Sequence, residues 1–465
     1  MPKQVTLKGP TQFKLIGKPV RRLDILAKLH GTALYGIDTL LPGLLYASIT
    51  LCPTLGGTVT HFDATVARTL PGVRKIVALD PVPGGLAGTG STSGGVAVIA
   101  ETPFQAMRAH ERLTIDWNHG AAARISSESI AAEMARVLDT SPGKVHMERG
   151  GAAAALASAA KMITAEYHVP LLAHATMEPM NCTAQFKDGV MTVWAATQAM
   201  GMARAAISKA LRIDATKIDV HVPFLGGGFG RRYFSDVCVQ AAMLARQTDG
   251  APVQLIWSRE QDMAHDYYRP AYISRGQAGF DSNGRLIAWL TTSAGSSLGA
   301  PSLLDAATDG ASNTAYAFPT ARVAHQTVEL PLTLGIWRSV HHSQNAFFTE
   351  SFIDECAVAA GQDCVTFRAS LLAGNDRHLR VLLRAAELAN WGQATPSESD
   401  GIPRGRGIAI HRGFGSVVAQ VAEVSIDTDR QIRVHGVVCA ARKTHARQRP
   451  GAAEQFSRLS AAADS

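Results

Sequence analysis

The chain lacks the residue spacing that would let it hold a metal by itself. Its six cysteines, Cys52, Cys182, Cys238, Cys356, Cys364 and Cys439, form no CxxC, and no Cys/His spacing fits a zinc or iron–sulfur site. They read as reduced, mostly buried thiols. No run of ~18 strongly apolar residues occurs, so no membrane-spanning helix is expected. The basic N-terminal residues lead into no apolar h-region, so no signal peptide is expected within this sequence. No G-x-x-x-x-G-K-[ST] occurs, and the one glycine cluster fails G-x-G-x-x-G because Arg231 stands where the third glycine belongs.

A net charge of +7 invites a nucleic-acid reading, but its distribution argues against one. Residues 1–22 hold six Lys or Arg and no acid, and residues 442–465 hold five basic and two acidic residues. Without those ends the body is close to neutral. A basic stripe interleaved with aromatics is missing, so no nucleic-acid partner is expected. With 46% hydrophobic and 18% charged residues, the composition is that of a globular protein with a large core. At roughly 150 residues per domain, about three domains are expected.

Residues 18–118 read as a compact α+β unit, with strands at Leu44–Leu51, Val73–Leu79, Val96–Ala100 and Thr114–Trp117. Thr102 is a plausible N-cap for a helix over Pro103–Leu113, with proline at its first position. Residues 119–150 are polar and mixed, with one helix over Ser127–Leu138; Gly151–Ala160 is Ala-rich helix or linker. A longer α/β region follows. It has strands at Ile163–Leu171, Met191–Thr197, Ile218–Leu225 and Val253–Trp257, and helices over Ala199–Leu211 and Ser235–Arg246. Hairpin turns fall at Lys187-Asp188-Gly189 and around Asp281-Ser282-Asn283-Gly284. Helices over Ser343–Ala360, Thr366–Leu372 and Arg377–Trp391 precede strands at Gly407–Ile410, Val417–Ile426 and Ile432–Val438. From Ala440 to Ser465 the alternation stops, and a basic tail of altered character is expected, out of frame or truncated.

The most informative segment is Phe224-Leu225-Gly226-Gly227-Gly228-Phe229-Gly230-Arg231-Arg232, between a strand and a helix. Its glycines allow close backbone approach, and its arginines suggest an anion at a phosphate-type cradle. The same glycines also serve a plain tight turn, and the loop alone does not choose. His174, Glu178, His265, His341 and His342 have no metal-ligand spacing and read as structural hydrogen-bonding groups.

Several segments together resemble the molybdenum-binding large subunit of the xanthine oxidase / aldehyde oxidase family, closest to the isoquinoline 1-oxidoreductase beta-subunit branch. They are Ile16–Asp24 with Tyr35–Asp38, Val96–Ala100 with the helix after it, His174–Pro179, Trp194–Gln198 and Gly226–Arg232. Trp257–Glu260, His265–Pro270, and Trp337–Val340 leading into Phe352–Glu355 complete the set. The likeness covers roughly residues 10–439.

The resemblance implies an α+β chain. Residues 1–17 would be an N-terminal extension, 18–120 an a/b hammerhead domain, 121–158 a linker, 159–439 an incomplete molybdopterin-cofactor-binding α/β region, and 440–465 the aberrant tail. It implies a molybdenum hydroxylase acting on an N-heteroaromatic or aldehyde carbon with water-derived oxygen. The metal would be held by molybdopterin cytosine dinucleotide, not by side chains. Electrons would pass to a small [2Fe-2S] subunit, with a cytochrome c as a further acceptor. Cofactor contacts fall on Gln198, Gly227, Gly228, Phe229, Gly230 and Arg231, with Gly413–Ser416 as a second contact. Arg338 falls near the substrate, or in a salt bridge to a core carboxylate. The family's general-base glutamate lies in a G-x-G-E segment that has no match here, so the chain alone is expected to be inactive or nearly so. Relatives are often exported to the periplasm; the compartment of this chain stays open. A non-catalytic remnant and a nucleotide-dependent enzyme using Gly226–Gly230 are the competing readings.

Overall fold

The computed structural model describes residues 7–16, 20–82, 92–296, 298, 305–393 and 402–442. Most of the expected tail, and the Gly17–Pro19 part of the first resembling segment, lie outside the described residues.

Two sheets carry the fold. The first has seven strands, in the order Ile218–His221, Val190–Trp194, Asn181–Lys187, Val253–Ile256, Leu45–Leu51, Gly95–Ala100 and Val73–Leu79. It therefore takes strands from both sides of residue 120. The parallel pairing of Leu45 with Val253 is the seam. The helix Asp236–Ala245 packs here and is largely apolar, and its two polar residues, Asp236 and Gln240, are buried with partners in Arg231 and Trp257, so a buried place suits it. The second sheet has five strands, in the order Lys144–Arg149, Ala321–Thr327, Leu286–Gly295, Tyr272–Phe280 and Lys161–Val169. Its core is shared with the helices His342–Ala359, Cys364–Leu371 and Asp376–Leu388 and with a three-stranded sheet of Arg404–Gly413, Ser416–Ile426 and Ile432–Arg442. Among the described residues no helix is long and apolar enough to cross a membrane.

Local chemistry explains the element ends. Thr102 is extended and its side chain accepts from the Gln105 N–H at 3.2 Å, with Pro103 opening the helix Pro103–His110. Asp188 and Gly189 both have positive φ, 51° and 77°, and the two-residue turn sets the register Lys187 to Val190.

Several elements differ from expectation, and the strands Thr58–Asp63 and Ala321–Thr327 have no expected counterpart. The strand expected over Ile218–Leu225 stops at His221, because Pro223 has no N–H to give a ladder. The segment Lys144–Arg149 is a strand, though its largely exposed residues give it a polar reading. The last strand runs to Arg442, pairing Ala440, Ala441 and Arg442 with Ala419, Val418 and Val417, so the first tail residues are ordered sheet.

Phe352 is the keystone of the second core. It is buried, its ring centroid lies 4.8 Å from that of Trp289, and a Cβ on Gly276 would meet it at 2.6 Å. Phe352→Ala is expected to destabilise the fold by about 3–5 kcal/mol, read as a lowered midpoint in urea unfolding with little change in slope.

Candidate functional site

The glycine loop leaves the edge strand Ile218–His221 and is clamped from below. The Gly226 N–H donates to Glu178 Oε2 at 2.8 Å, and the Glu178 N–H donates to the Gly226 carbonyl at 3.0 Å. Ile37 N–H (2.9 Å), Asn181 Nδ2 (2.9 Å) and Arg232 Nη2 (3.0 Å) converge on the same carboxylate. A Cβ at Gly226 would fall on the Glu178 side chain, so the close approach requires glycine.

The far end of the loop is fixed by a second buried group. Gly230 has φ +115°, and a Cβ there would fall on the Ile336 carbonyl oxygen. That oxygen faces His174 Nε2 at 3.1 Å, and His174 Nδ1 donates to Asp266 at 3.0 Å. Asp266 also accepts from the His174 and Tyr267 backbone N–H groups and faces Arg231 Nε. Burial alone would raise the Asp266 carboxyl, but His174 and the Arg231 charge hold it below its usual range.

Between the clamps the loop faces outward. Gln198, on the connection after Val190–Trp194, accepts from the Gly230 N–H at 3.1 Å through Oε1. Its own N–H and the Thr197 hydroxyl donate to the Arg232 carbonyl, at 2.8 and 3.0 Å. A Cβ on Gly228 would meet Gln198 Oε1 at 2.6 Å. Among the described residues, the N–H groups of Gly227, Gly228 and Phe229 and the Gln198 Nε2 have no protein partner. Phe229 sits at φ 54° and is 44% exposed. Three adjacent backbone donors beside an oriented amide suit an anionic or oxygen-rich ligand.

The arginines do not face that ligand. Arg231 is 1% exposed and doubly bonded to Asp236 at 2.9 and 2.8 Å. Burial works against its charge, yet Asp236 and Asp266 hold its pKa above the ordinary range. Arg232 is also buried and donates to the carbonyls of Gly227 (2.8 Å) and Glu178 (2.7 Å). The expectation of an anion at these arginines is corrected by carboxylates of the chain itself: Asp236, five residues on, and the distant Asp266 for Arg231, and the distant Glu178 for Arg232. Arg231 shapes the loop from inside.

Beside the loop opens a cavity of about 890 Å³, within the size range of small-molecule sites. Phe229, Trp337, Arg338, Phe347 and Phe414 line it, with His342 and His411. Arg338 is exposed and forms no salt bridge among the described residues. The two residues after it, Ser339 and Val340, have φ 71° and 53°, a strained pair for non-glycine residues. Phe414, in the second loop singled out from sequence, is 76% exposed over the cavity. The cavity's carboxylates are not free: Glu350 accepts from Tyr316 (2.8 Å), Arg368 (3.0 Å) and the Ile410 N–H (2.8 Å), and Asp354 from Arg368 (2.6 Å). His174, Glu178 and His265 are structural, as expected; His265 Nε2 lies 2.9 Å from the Cys52 carbonyl. His411 escaped the sequence reading, and its only signal was nearness to Phe414.

Residues 136–371 match the family of molybdopterin cofactor-binding domains. The chain is similar to a membrane-bound aldehyde dehydrogenase of Gluconacetobacter polyoxogenes, named for pyrroloquinoline quinone, at 29% identity over 91% of this chain and 58% of that protein. It is similar to isoquinoline 1-oxidoreductase subunit beta of Brevundimonas diminuta at 28% identity, over 94% of this chain and 56% of that one. The chain thus spans little more than half the length of these relatives. The structure of quinoline 2-oxidoreductase from Pseudomonas putida 86 superposes with a TM-score of 0.69 at 19% identity, covering 90% of this chain and 62% of that one.

Two outcomes are expected. Gly230→Ala should destabilise the fold, because backbone cannot yield to a Cβ, whereas Gly228→Ala should fold normally and lose only the Gln198 position; paired thermal melts distinguish them. Stability should also fall with acid. His411 is lowered to about 4 by burial and by His342, while its unfolded value is near 6.5. The unfolded chain therefore takes up the proton first, so this contribution is complete above pH 6.5 and lost as pH falls towards 4. His411→Gln should flatten that part of a denaturation-versus-pH curve.

Proposed function

Because the chain belongs to the molybdopterin cofactor-binding domain family, we propose that it binds a molybdenum cofactor at the loop Gly227–Gly230 and forms part of a molybdenum hydroxylase large subunit. The observation that carries the reading is the row of three unpartnered amides, Gly227, Gly228 and Phe229, next to Gln198. These donors fit the oxygen-rich, phosphate-bearing group, and the glycines keep the cradle empty of side chains. The family match favours molybdopterin over the quinone in one relative's name, and we assign its cytosine dinucleotide form.

When bound, the group supplies two-electron oxidation of a carbon centre with water as the oxygen source. The chain's own part is binding and orientation. The amides of Gly227, Gly228 and Phe229 and the Gln198 Nε2 donate to the cofactor. Phe229 and Phe414 confine a planar N-heteroaromatic or aromatic aldehyde in the cavity, and Arg338 gives its rim a positive charge. Among the described residues neither Glu350 nor Asp354 is free to act as general base, because both are tied to Arg368. Electrons leave through a small [2Fe-2S] subunit and on to a cytochrome c, and the name of the Brevundimonas relative as a subunit supports a partner.

The test is metal and pterin content after production in a host that makes the cofactor. The chain should carry molybdenum and pterin in equal amounts. Gly228→Val and Gln198→Leu should lower both to under about a tenth while circular dichroism is unchanged. Folded chain without molybdenum, or variants with unaltered content, would contradict the proposal.

A further inference from the structure

His342 and His411 are 69 positions apart, yet His342 Nδ1 lies 3.0 Å from His411 Nε2 on the cavity wall. The fold makes room for this couple at some cost. Gly310 has φ +96°, and a Cβ there would meet His411 Cε1 at 2.8 Å and His342 Nδ1 at 3.1 Å. The Phe414 ring lies edge-on to His342 with centroids 5.2 Å apart. Among the described residues the remaining nitrogens, His342 Nε2 and His411 Nδ1, have no partner. The structural duties of His174 and His265 are absent here: among the described residues no backbone carbonyl or carboxylate holds either imidazole.

We infer that His342, positioned by His411, is a ligand-contacting residue of the cavity that reads the ring nitrogen of a neutral, planar N-heteroaromatic molecule. The bridging hydrogen bond has one proton between two nitrogens. When His411 Nε2 carries it, His342 Nδ1 is the acceptor and the single proton of a neutral His342 must sit on Nε2, as a donor for the ligand. Both imidazoles stay neutral near pH 7, because burial lowers each; for His342 the Asp309 charge opposes that only partly, and for His411 the neighbouring His342 adds to it. Arg338 lines the same cavity, and its charge disfavours a protonated, cationic ring. The inference deepens the proposed function, since it rests on the cavity being the substrate site and selects N-heteroaromatics over aldehydes.

The test uses the whole chain without turnover. Isoquinoline and naphthalene, alike in shape but for the ring nitrogen, are titrated against wild type, His342→Phe, His411→Gln and His411→Leu. Wild type should prefer isoquinoline by on the order of tenfold, the worth of one net hydrogen bond. His342→Phe should abolish the preference and leave naphthalene binding unchanged. His411→Gln, which keeps a donor to Nδ1, should retain it, and His411→Leu should weaken it several-fold. Equal preference in wild type and His342→Phe would overturn the inference. Should His342→Phe not fold, nitrogen-15 spectra of histidine-labelled wild type decide: one ring is expected to shift with isoquinoline and none with naphthalene, and no shift with either overturns it. Molybdenum content is measured separately, so failure here is distinct from failure of the cofactor reading.

Discussion

One buried carboxylate organises the site. Glu178 receives N–H donors from Ile37, from the nearby Asn181, and from Gly226 and Arg232 at the two ends of the glycine loop, three stretches of chain in all. A carboxylate taken from water loses hydration that only such a full set of partners restores. Removing it would leave the Arg232 charge buried without its counter-ion, with a penalty of several kcal/mol. Glu178 thus ties the first sheet, the N-terminal segment and the glycine loop into one rigid support.

A rigid support matters because the loop itself supplies only backbone. Amides bind well when their direction is set before the ligand arrives, since the ordering cost is then already met in folding. Asp266 does at the far end what Glu178 does at the near end, through His174, Ile336 and the fit of Gly230. The segments that carry the family resemblance are brought together by these contacts. His174–Pro179, Trp194–Gln198, His265–Pro270 and Trp337–Val340 all end beside the loop or the cavity it borders. Arg259 adds a further tie, donating to the Thr176 and Met177 carbonyls at 2.7 and 3.0 Å.

Features with a local cause were legible in the sequence. The Thr102-Pro103 cap, the Asp188-Gly189 turn and the glycine loop each depend on residues within a few positions. Features set by distant partners were not. Arg231 and Arg232 have the composition of an anion site; Asp236 lies close to Arg231 in sequence, but only the fold reveals that Asp266 and Glu178 complete their neutralisation. His342 was visible, but its partner His411 was not, because the pairing depends on how the helix His342–Ala359 meets the strand Arg404–Gly413. Lys144–Arg149 falls in a stretch that reads only as polar and mixed, because a strand this exposed lacks the alternation that marks a buried face.

The central claim is that the outward amides of Gly227, Gly228 and Phe229 are a preformed cofactor cradle. Amide hydrogen exchange on cofactor-loaded and cofactor-free chain tests it most directly. Protection should rise at Gly227–Phe229 on loading, while Gly226 and Gly230, already bonded to Glu178 and Gln198, stay protected in both. Unchanged exchange at Gly227–Phe229 in a chain that carries molybdenum would show that the cofactor sits elsewhere.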